Sequence, residues 1–242
     1  MSKIKKTLAL LLSLVLIISL LAACTGGGKD AEGESQSPEG EEVFVSRKKA
    51  KVGDKIHFGK YEQDKADEDL GWLVLKKEGG KLLLISDKVI DLKSYHSKRS
   101  SVTWETSDLR LWLNDEFLNK AFSSQERKRI VETNIKTNDN EKYNTPGGNE
   151  VKDKVFLLSL EEAEEFFEED LARRSAGTAF AEEKGLKLSP DQLYLGMSPW
   201  WLRSPGRSAT DASYVNVDGR IYDTIPVDNA APGVRPLIWV KS

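Results

Sequence analysis

The chain has 242 residues, a mean hydropathy of −0.47, a formal net charge of −3 and a single cysteine, Cys24. An acidic balance argues against a nucleic-acid partner, which calls for a basic face, and one cysteine forms neither an intrachain disulfide nor a cysteine-based metal site. The two histidines, His57 and His96, are distant in sequence and neither belongs to a His-x-x-x-His pair, so no metal and no cofactor is expected.

Lys3, Lys5 and Lys6 precede an apolar run from Leu8 to Leu21, broken only by Ser13 and Ser19, and Leu21-Ala22-Ala23 leads into Cys24. A charged start, an apolar middle and small residues at the end are the layout of a cleavable export signal, here residues 1–23. The cysteine placed directly after them resembles the lipid-modified residue of a bacterial lipoprotein, whose thiol carries a diacylglycerol. Two or more acyl chains on one residue give lasting membrane attachment where a single chain does not. The alternative is an uncleaved transmembrane helix, since about 15–17 apolar residues approach the roughly 20 needed to span; the Leu-Ala-Ala-Cys ending and the polar stretch after it fit cleavage better. The expected location is therefore the extracytoplasmic face of a cell membrane, with a lipid on Cys24 as the link. Loss of the three leader lysines takes the charge from −3 to −6.

Residues 24–50 are read as the lipidated cysteine and a disordered tether. Thr25 to Glu42 is glycine, serine and acid with almost nothing to bury. Arg47-Lys48-Lys49-Ala50-Lys51 follows, either a solvated tether end, the preferred reading, or a patch drawn to anionic lipid or wall polymer. Residues 51–242, roughly 190 in number, suffice for one globular domain.

Lys55-Ile56-His57-Phe58 alternates, and Trp72 to Leu75 and Leu82 to Ile85 are short apolar runs around a Glu78-Gly79-Gly80-Lys81 hairpin signal. Ser107 is placed to cap a helix in which Leu109, Trp112, Leu113 and Phe117 recur at helical spacing. Ser123-x-x-Glu126 is a capping box for a second helix carrying Ile130. Asn138 to Asp153 is turn-rich, and Val155 to Leu158 is apolar. Ser159-x-x-Glu162 starts a third helix with Ala163, Phe166, Phe167 and Leu171 inward and a solvated acidic face. Ser213 to Asp223 reads as a hairpin with a type I′ turn at Asp218-Gly219. Val234 to Val240 reads as a final strand, with Pro236 putting it at an edge or a bulge. Strands, about three helices, then strands again give an α+β class with a mainly antiparallel sheet.

Trp104-x-x-Ser107-x-Leu109-Arg110-x-Trp112-Leu113-Asn114, Phe156-Leu157-Leu158-Ser159, Trp200 to Gly206, Val217-Asp218-Gly219 and Gly233-Val234-Arg235-Pro236 together resemble a bacterial domain-of-unknown-function family, number 6273, across nearly all of residues 52–242. That resemblance implies an architecture and no chemistry. More distantly, Trp201-Leu202-Arg203 before a hairpin and the terminal Gly233-Val234-Arg235 resemble C-type-lectin-like and formylglycine-generating-enzyme-like domains. The cysteines of the latter and the calcium motifs of sugar-binding lectins are absent, so neither oxidation chemistry nor calcium-dependent sugar binding carries over.

No Gly-x-Ser-x-Gly elbow is present, and Ser204 before Pro205 reads as a serine in a turn. Thirty-nine acids make carboxylate pairs for glycoside hydrolysis uninformative until a fold sets their separation. Asp211, Asp218, Asp223, Asp228 and Asn229 fit turn chemistry better than a calcium loop. No catalytic residue is assigned.

The remaining cluster is Trp200, Trp201, Arg203, Tyr214, Tyr222 and Arg235. Aromatic faces can stack on sugar rings and arginine forks can hold carboxylate or hydroxyl partners. Adjacent tryptophans on a strand point to opposite faces, which leaves at most one for the core. In the competing arrangement, which takes precedence, Trp200, Trp201 and Trp239 fill the core while Arg203 and Arg235 pair with buried acids or carbonyls. The leading functional expectation is a lipid-anchored, non-enzymatic binding domain for a glycan, wall or protein ligand. A hydrolase acting on wall material and a structural subunit of an envelope complex are the alternatives.

Overall fold

In the computed structural model, which describes residues 44–62 and 68–242, the apolar runs near the start form β1 (Lys55–Tyr61), β2 (Glu68–Glu78) and β3 (Lys81–Ser86), followed by β4 (Asp91–Leu92). Gly79 and Gly80 adopt φ values of 55° and 71° in the turn that pairs Glu78 with Lys81. Left-handed backbone at both positions is what a two-residue type I′ hairpin needs. The export signal and Cys24 lie outside the described residues.

Ser107 caps α1 (Asp108–Trp112), its hydroxyl accepting from Arg110 N; a π-turn over Leu113–Phe117 leads on to α2 (Leu118–Ala121). Leu109, Leu113 and Phe117 from this run are buried, as the spacing requires. The Ser123–Glu126 box closes on α3 (Ser124–Arg127), shorter than expected: Ile130 has left the helix and bridges to Val240. After β5 (Thr133–Ile135), β6 (Val151–Asp153) and β7 (Val155–Phe156), the Ser159–Glu162 box opens α4 (Leu160–Phe166). That helix stops at Phe166 and the chain restarts in α5 (Asp170–Arg173), so Leu171, expected inward, is 63% exposed. Then come α6 (Ala179–Glu183), β8 (Trp200–Pro205), β9 (Asp211–Val215), β10 (Ile221–Pro226), β11 (Gly233–Val234) and β12 (Leu237–Lys241).

The strands form two five-stranded sheets, β1-β2-β3-β12-β7 and β10-β9-β8-β11-β4, with β5-β6 as a separate ribbon. Among the described residues, pairing between these strands is antiparallel except for β11 against β8, and the isolated bridges Phe44–Lys55 and Val89–Gly177 are also parallel. The class is α+β with mainly antiparallel sheets.

Two further expectations change. Val234 to Val240 is not one edge strand: the chain leaves the second sheet after Val234, passes Arg235-Pro236 and enters the middle of the first. Pro236 is tolerated there because it sits between strands, where no ladder N–H is required, and its carbonyl accepts from Ser86 N at 3.0 Å. The β9–β10 hairpin is present, but only Gly219 of its turn is left-handed, with φ 87°. Gly219 N donates to Asn216 O at 2.8 Å and Asn216 N to Arg220 O at 2.9 Å, a type I turn closed by a left-handed glycine.

Candidate functional site

Trp200 and Trp201 are both fully buried. Every residue of β8 is buried, so alternation along the strand exposes neither ring. The Trp200 indole donates to Arg173 O at 3.1 Å and the Trp201 indole to Lys93 O at 2.9 Å, and Trp201 packs edge-on to Tyr95. Arg203 is 3% exposed and donates to Leu157 O at 2.7 Å, to Lys136 O and to both carboxylate oxygens of Glu162. Arg235, equally buried, donates from Nε to Ser86 O at 3.0 Å and lies over the Trp200 and Phe167 rings at 5.1 and 5.5 Å. Burial pulls the Arg235 guanidinium down to about 10, with Asp87 opposing. Trp200 and Arg203 join β8 to α5 and α4, Trp201 and Arg235 bond backbone carbonyls of Lys93 and Ser86, and all four are buried, which removes them from the candidate site. Core burial and hydrogen bonding consume the side chains that composition marked as recognition groups.

Tyr214 and Tyr222 differ. They lie on paired positions of β9 and β10, with ring centroids 5.8 Å apart and planes 28° from parallel. Tyr214 is half-buried, and burial raises its hydroxyl above the usual range, with Tyr222 and Asp218 adding to the effect. Tyr222 remains 37% exposed.

Tyr222 borders a cleft of about 490 Å³ whose walls come from three places in the chain. The Asn138–Lys142 segment forms one side, α4 contributes Leu160, Glu161 and Glu164, and β10 contributes Ile221, Tyr222 and Asp223. The loop is held by Asn140 Nδ2 donating to Pro205 O at 3.1 Å, Thr145 Oγ1 donating to Arg207 O at 3.2 Å and Gly147 N donating to Asp139 Oδ1 at 2.8 Å. Ser204 lies at the base, buried, its hydroxyl accepting from Leu160 N at 2.9 Å at the start of α4. That bond satisfies an N–H in the first turn of α4.

Five carboxylates, Asp139, Glu141, Glu161, Glu164 and Asp223, face one lysine, Lys142, which lies 3.3 Å from Asp223 and raises its own affinity for the proton through its hydrogen bonds to Tyr143 and Asp223. A concave surface with that excess of negative charge attracts cations and repels anions. An exposed phenol ring beside it supplies an apolar platform with a polar tip. Asp223 apart, side chains of the β9–β10 region that sequence grouped as oxygen ligands serve turns: Asp211 accepts from Ser208 Oγ at 2.8 Å, Asp218 from Arg220 N at 3.0 Å and Asn229 Oδ1 from Ala231 N at 2.7 Å. Among the described residues no group of three or more His, Cys, Asp or Glu side chains is arranged to hold a metal ion.

The sequence marked Tyr222 and the 138–153 loop as separate features; nothing local joined them to Glu161 and Glu164, which read as a solvated helix face. The one available signal was that acids on all three segments outnumber the bases there.

Residues 79–242 match the model of the family described as Domain of unknown function (DUF6273). No curated protein and no solved structure matches the chain.

Proposed function

The chain belongs to the DUF6273 family, and from that footing we propose that it is a lipid-anchored, extracytoplasmic binding protein whose ligand seat is the acidic cleft beside Tyr222. The observation that carries the reading is the pairing of a preformed 490 Å³ cleft with five carboxylates and an exposed tyrosine face. Pockets of this size with a few convergent polar groups are the default seat of a small ligand or a short stretch of polymer. The chemistry favours a ring-bearing cation, such as an amino-sugar segment of wall polysaccharide. Its ring would lie against Tyr222 and its ammonium groups would meet Glu161, Glu164 or Asp223.

The anchor rests on the Leu-Ala-Ala-Cys24 pattern. Among the described residues no helix is long and apolar enough to cross a membrane. Metabolic labelling with a palmitate analogue tests it: label on the wild-type chain and none on Cys24→Ser supports attachment there, and equal labelling rules it out. The cleft is tested with a panel of glucosamine oligomers in deacetylated and N-acetylated forms. Binding of the charged form well above the neutral one supports the reading; binding of neither defeats it.

A second reading has its own support in the same cleft. Glu161 and Glu164 on α4 and Asp223 on β10, about sixty residues further along the chain, converge there, as a pair of carboxylates must for glycoside hydrolysis. Release of shorter sugars from wall polysaccharide, abolished by Glu161→Gln or Glu164→Gln in a folded protein, would establish it. We also carry the C-type-lectin-like likeness as a proposal; the buried Trp201-Leu202-Arg203 strand beside the β9–β10 hairpin and the terminal Gly233-Val234-Arg235 segment support it.

A further inference from the structure

The basic segment that begins at Arg47 has a place in the fold. Phe44 pairs with Lys55 and stacks on His57 at 3.7 Å, Val45 N donates to Lys55 O at 2.9 Å, and Ala50 is buried in the core, so residues 44–50 lie on the domain instead of continuing the tether. That path carries Arg47 to the rim of a second pocket, of about 350 Å³, which also includes His57, Lys60, Asp69, Glu126 and Arg129.

The pocket's acids leave the cations only partly neutralised. Glu126 makes its hydrogen bonds with uncharged groups: Oε1 accepts from Gly59 N at 3.2 Å, and Oε2 accepts from Ser123 N at 2.8 Å and Ser123 Oγ at 2.7 Å. Asp69 lies 3.9 Å from Lys60 Nζ, with both side chains more than half exposed. Arg47 sits over the Phe58 ring at 5.3 Å, and its Nε is buried with no hydrogen-bond partner among the described residues. Burial first, then the nearby Arg129 charge, holds the Arg47 guanidinium below its ordinary range, with Glu126 opposing. Two guanidinium groups on one pocket repel each other, and an unpaired buried N–H is costly. An oxyanion relieves the repulsion between them, and the planar fork of arginine matches phosphate oxygens.

We propose that this pocket binds a phosphate-type oxyanion between Arg47, Arg129 and Lys60. A phospholipid headgroup and a free phosphate share that chemistry. The choice between them, though not the site, rests on the lipid-anchor reading: a glycine- and serine-rich tether of about 20 residues, as the sequence between Cys24 and Phe44 leads one to expect, would span about 25 Å and keep the pocket within reach of the headgroups.

The test uses the full chain carrying Cys24→Ser in nonionic detergent, titrated calorimetrically with inorganic phosphate and, separately, with glycerophosphoglycerol, a lipid headgroup without its chains. Chloride holds the ionic strength constant. Saturable binding of at least one anion is expected, weakened at least tenfold in Arg129→Gln and in Lys60→Gln while circular-dichroism melting is unaltered. Binding of glycerophosphoglycerol assigns the site to the headgroup, and binding of inorganic phosphate alone assigns it to a soluble anion. Tyr222→Ala should leave the affinity unchanged, which separates this pocket from the acidic cleft. No saturable heat with either anion, or equal affinity in wild type and both variants, overturns the proposal.

Discussion

Arg203 on β8 holds Glu162 on α4 in a two-pronged pair, Nη2 donating to Oε1 at 2.8 Å and Nη1 to Oε2. The same carboxylate receives Ser159 N at 3.0 Å, so one acid both closes the capping box of α4 and anchors that helix to the second sheet. The bond fixes the wall that presents Glu161 and Glu164 to the cleft. Arg203→Ala should lower stability by about 1–3 kcal/mol, because the Leu157 and Lys136 carbonyls lose their donor and the partly exposed Glu162 loses its partner. Urea unfolding of Arg203→Ala, Glu162→Gln and the double variant checks it: the double should cost less than the sum of the singles.

Trp200 and Trp201 should behave as core residues. Each alanine variant is expected to lose about 3–5 kcal/mol, the usual cost of emptying a buried aromatic site. Differential scanning calorimetry reads the loss. A variant that melts like wild type while losing ligand would instead return that tryptophan to a binding role.

Two aspartates give opposite pH signatures. Burial outweighs the bonds from Trp104 and Arg110 and raises the Asp153 carboxyl above its usual range. The folded state then takes up this proton before the unfolded chain does. The group's contribution to stability therefore rises as pH falls through the raised folded value toward the ordinary carboxylate value of about 3.9. Asp108 is lowered, chiefly by hydrogen bonds from Ser97, whose N–H lies 2.8 Å away, and further by His96. Its contribution is present above the ordinary carboxylate value and is lost as pH falls through the lowered folded value. Unfolding midpoints of Asp153→Asn and Asp108→Asn relative to wild type, followed from pH 7 down through the carboxylate range, check the signs. The wild-type advantage over Asp153→Asn should grow, and that over Asp108→Asn should shrink.

Gly219 admits no side chain. Its φ is 87°, and a Cβ would fall 1.7 Å from Asp170 O. The glycine carbonyl also accepts from Arg173 Nε at 2.8 Å, tying the β9–β10 turn to α5. Gly219→Ala should cost more than about 1 kcal/mol, since left-handed strain and a backbone clash act together. A lowered melting temperature in thermal unfolding is the readout.

What was legible in the sequence was local. The Ser123–Glu126 and Ser159–Glu162 boxes and the Gly79-Gly80 turn carry their own bonding partners within four residues, so spacing alone located them. Ile130 and Leu171 were misplaced because α3 and α4 end early, where tertiary pairing of Ile130 with Val240 and a restart at Asp170 override the periodic pattern. The switch between sheets at Arg235-Pro236 depends on which strands are neighbours, and a run of apolar residues does not encode that. Of the core arrangement for the tryptophan–arginine segment, Trp200 and Trp201 are buried while Trp239 is only partly so, and Arg203 and Arg235 turn inward to carbonyls and Glu162. The cleft was least legible, because Asp139, Glu161 and Asp223 meet only after three separate segments fold together.

The most direct measurement is calorimetric titration of a deacetylated glucosamine oligomer into wild type, Tyr222→Ala and Glu161→Gln, with melting followed in parallel. Tyr222 is exposed and Glu161 lies on the outer face of α4, so both variants should stay folded, Tyr222→Ala losing only the roughly 0.2–1 kcal/mol of its cross-strand pair with Tyr214. The account predicts saturable, salt-sensitive binding to wild type that weakens at least tenfold in both variants, about 1.4 kcal/mol each. Absence of binding to wild type, or equal affinity in all three proteins, would contradict it.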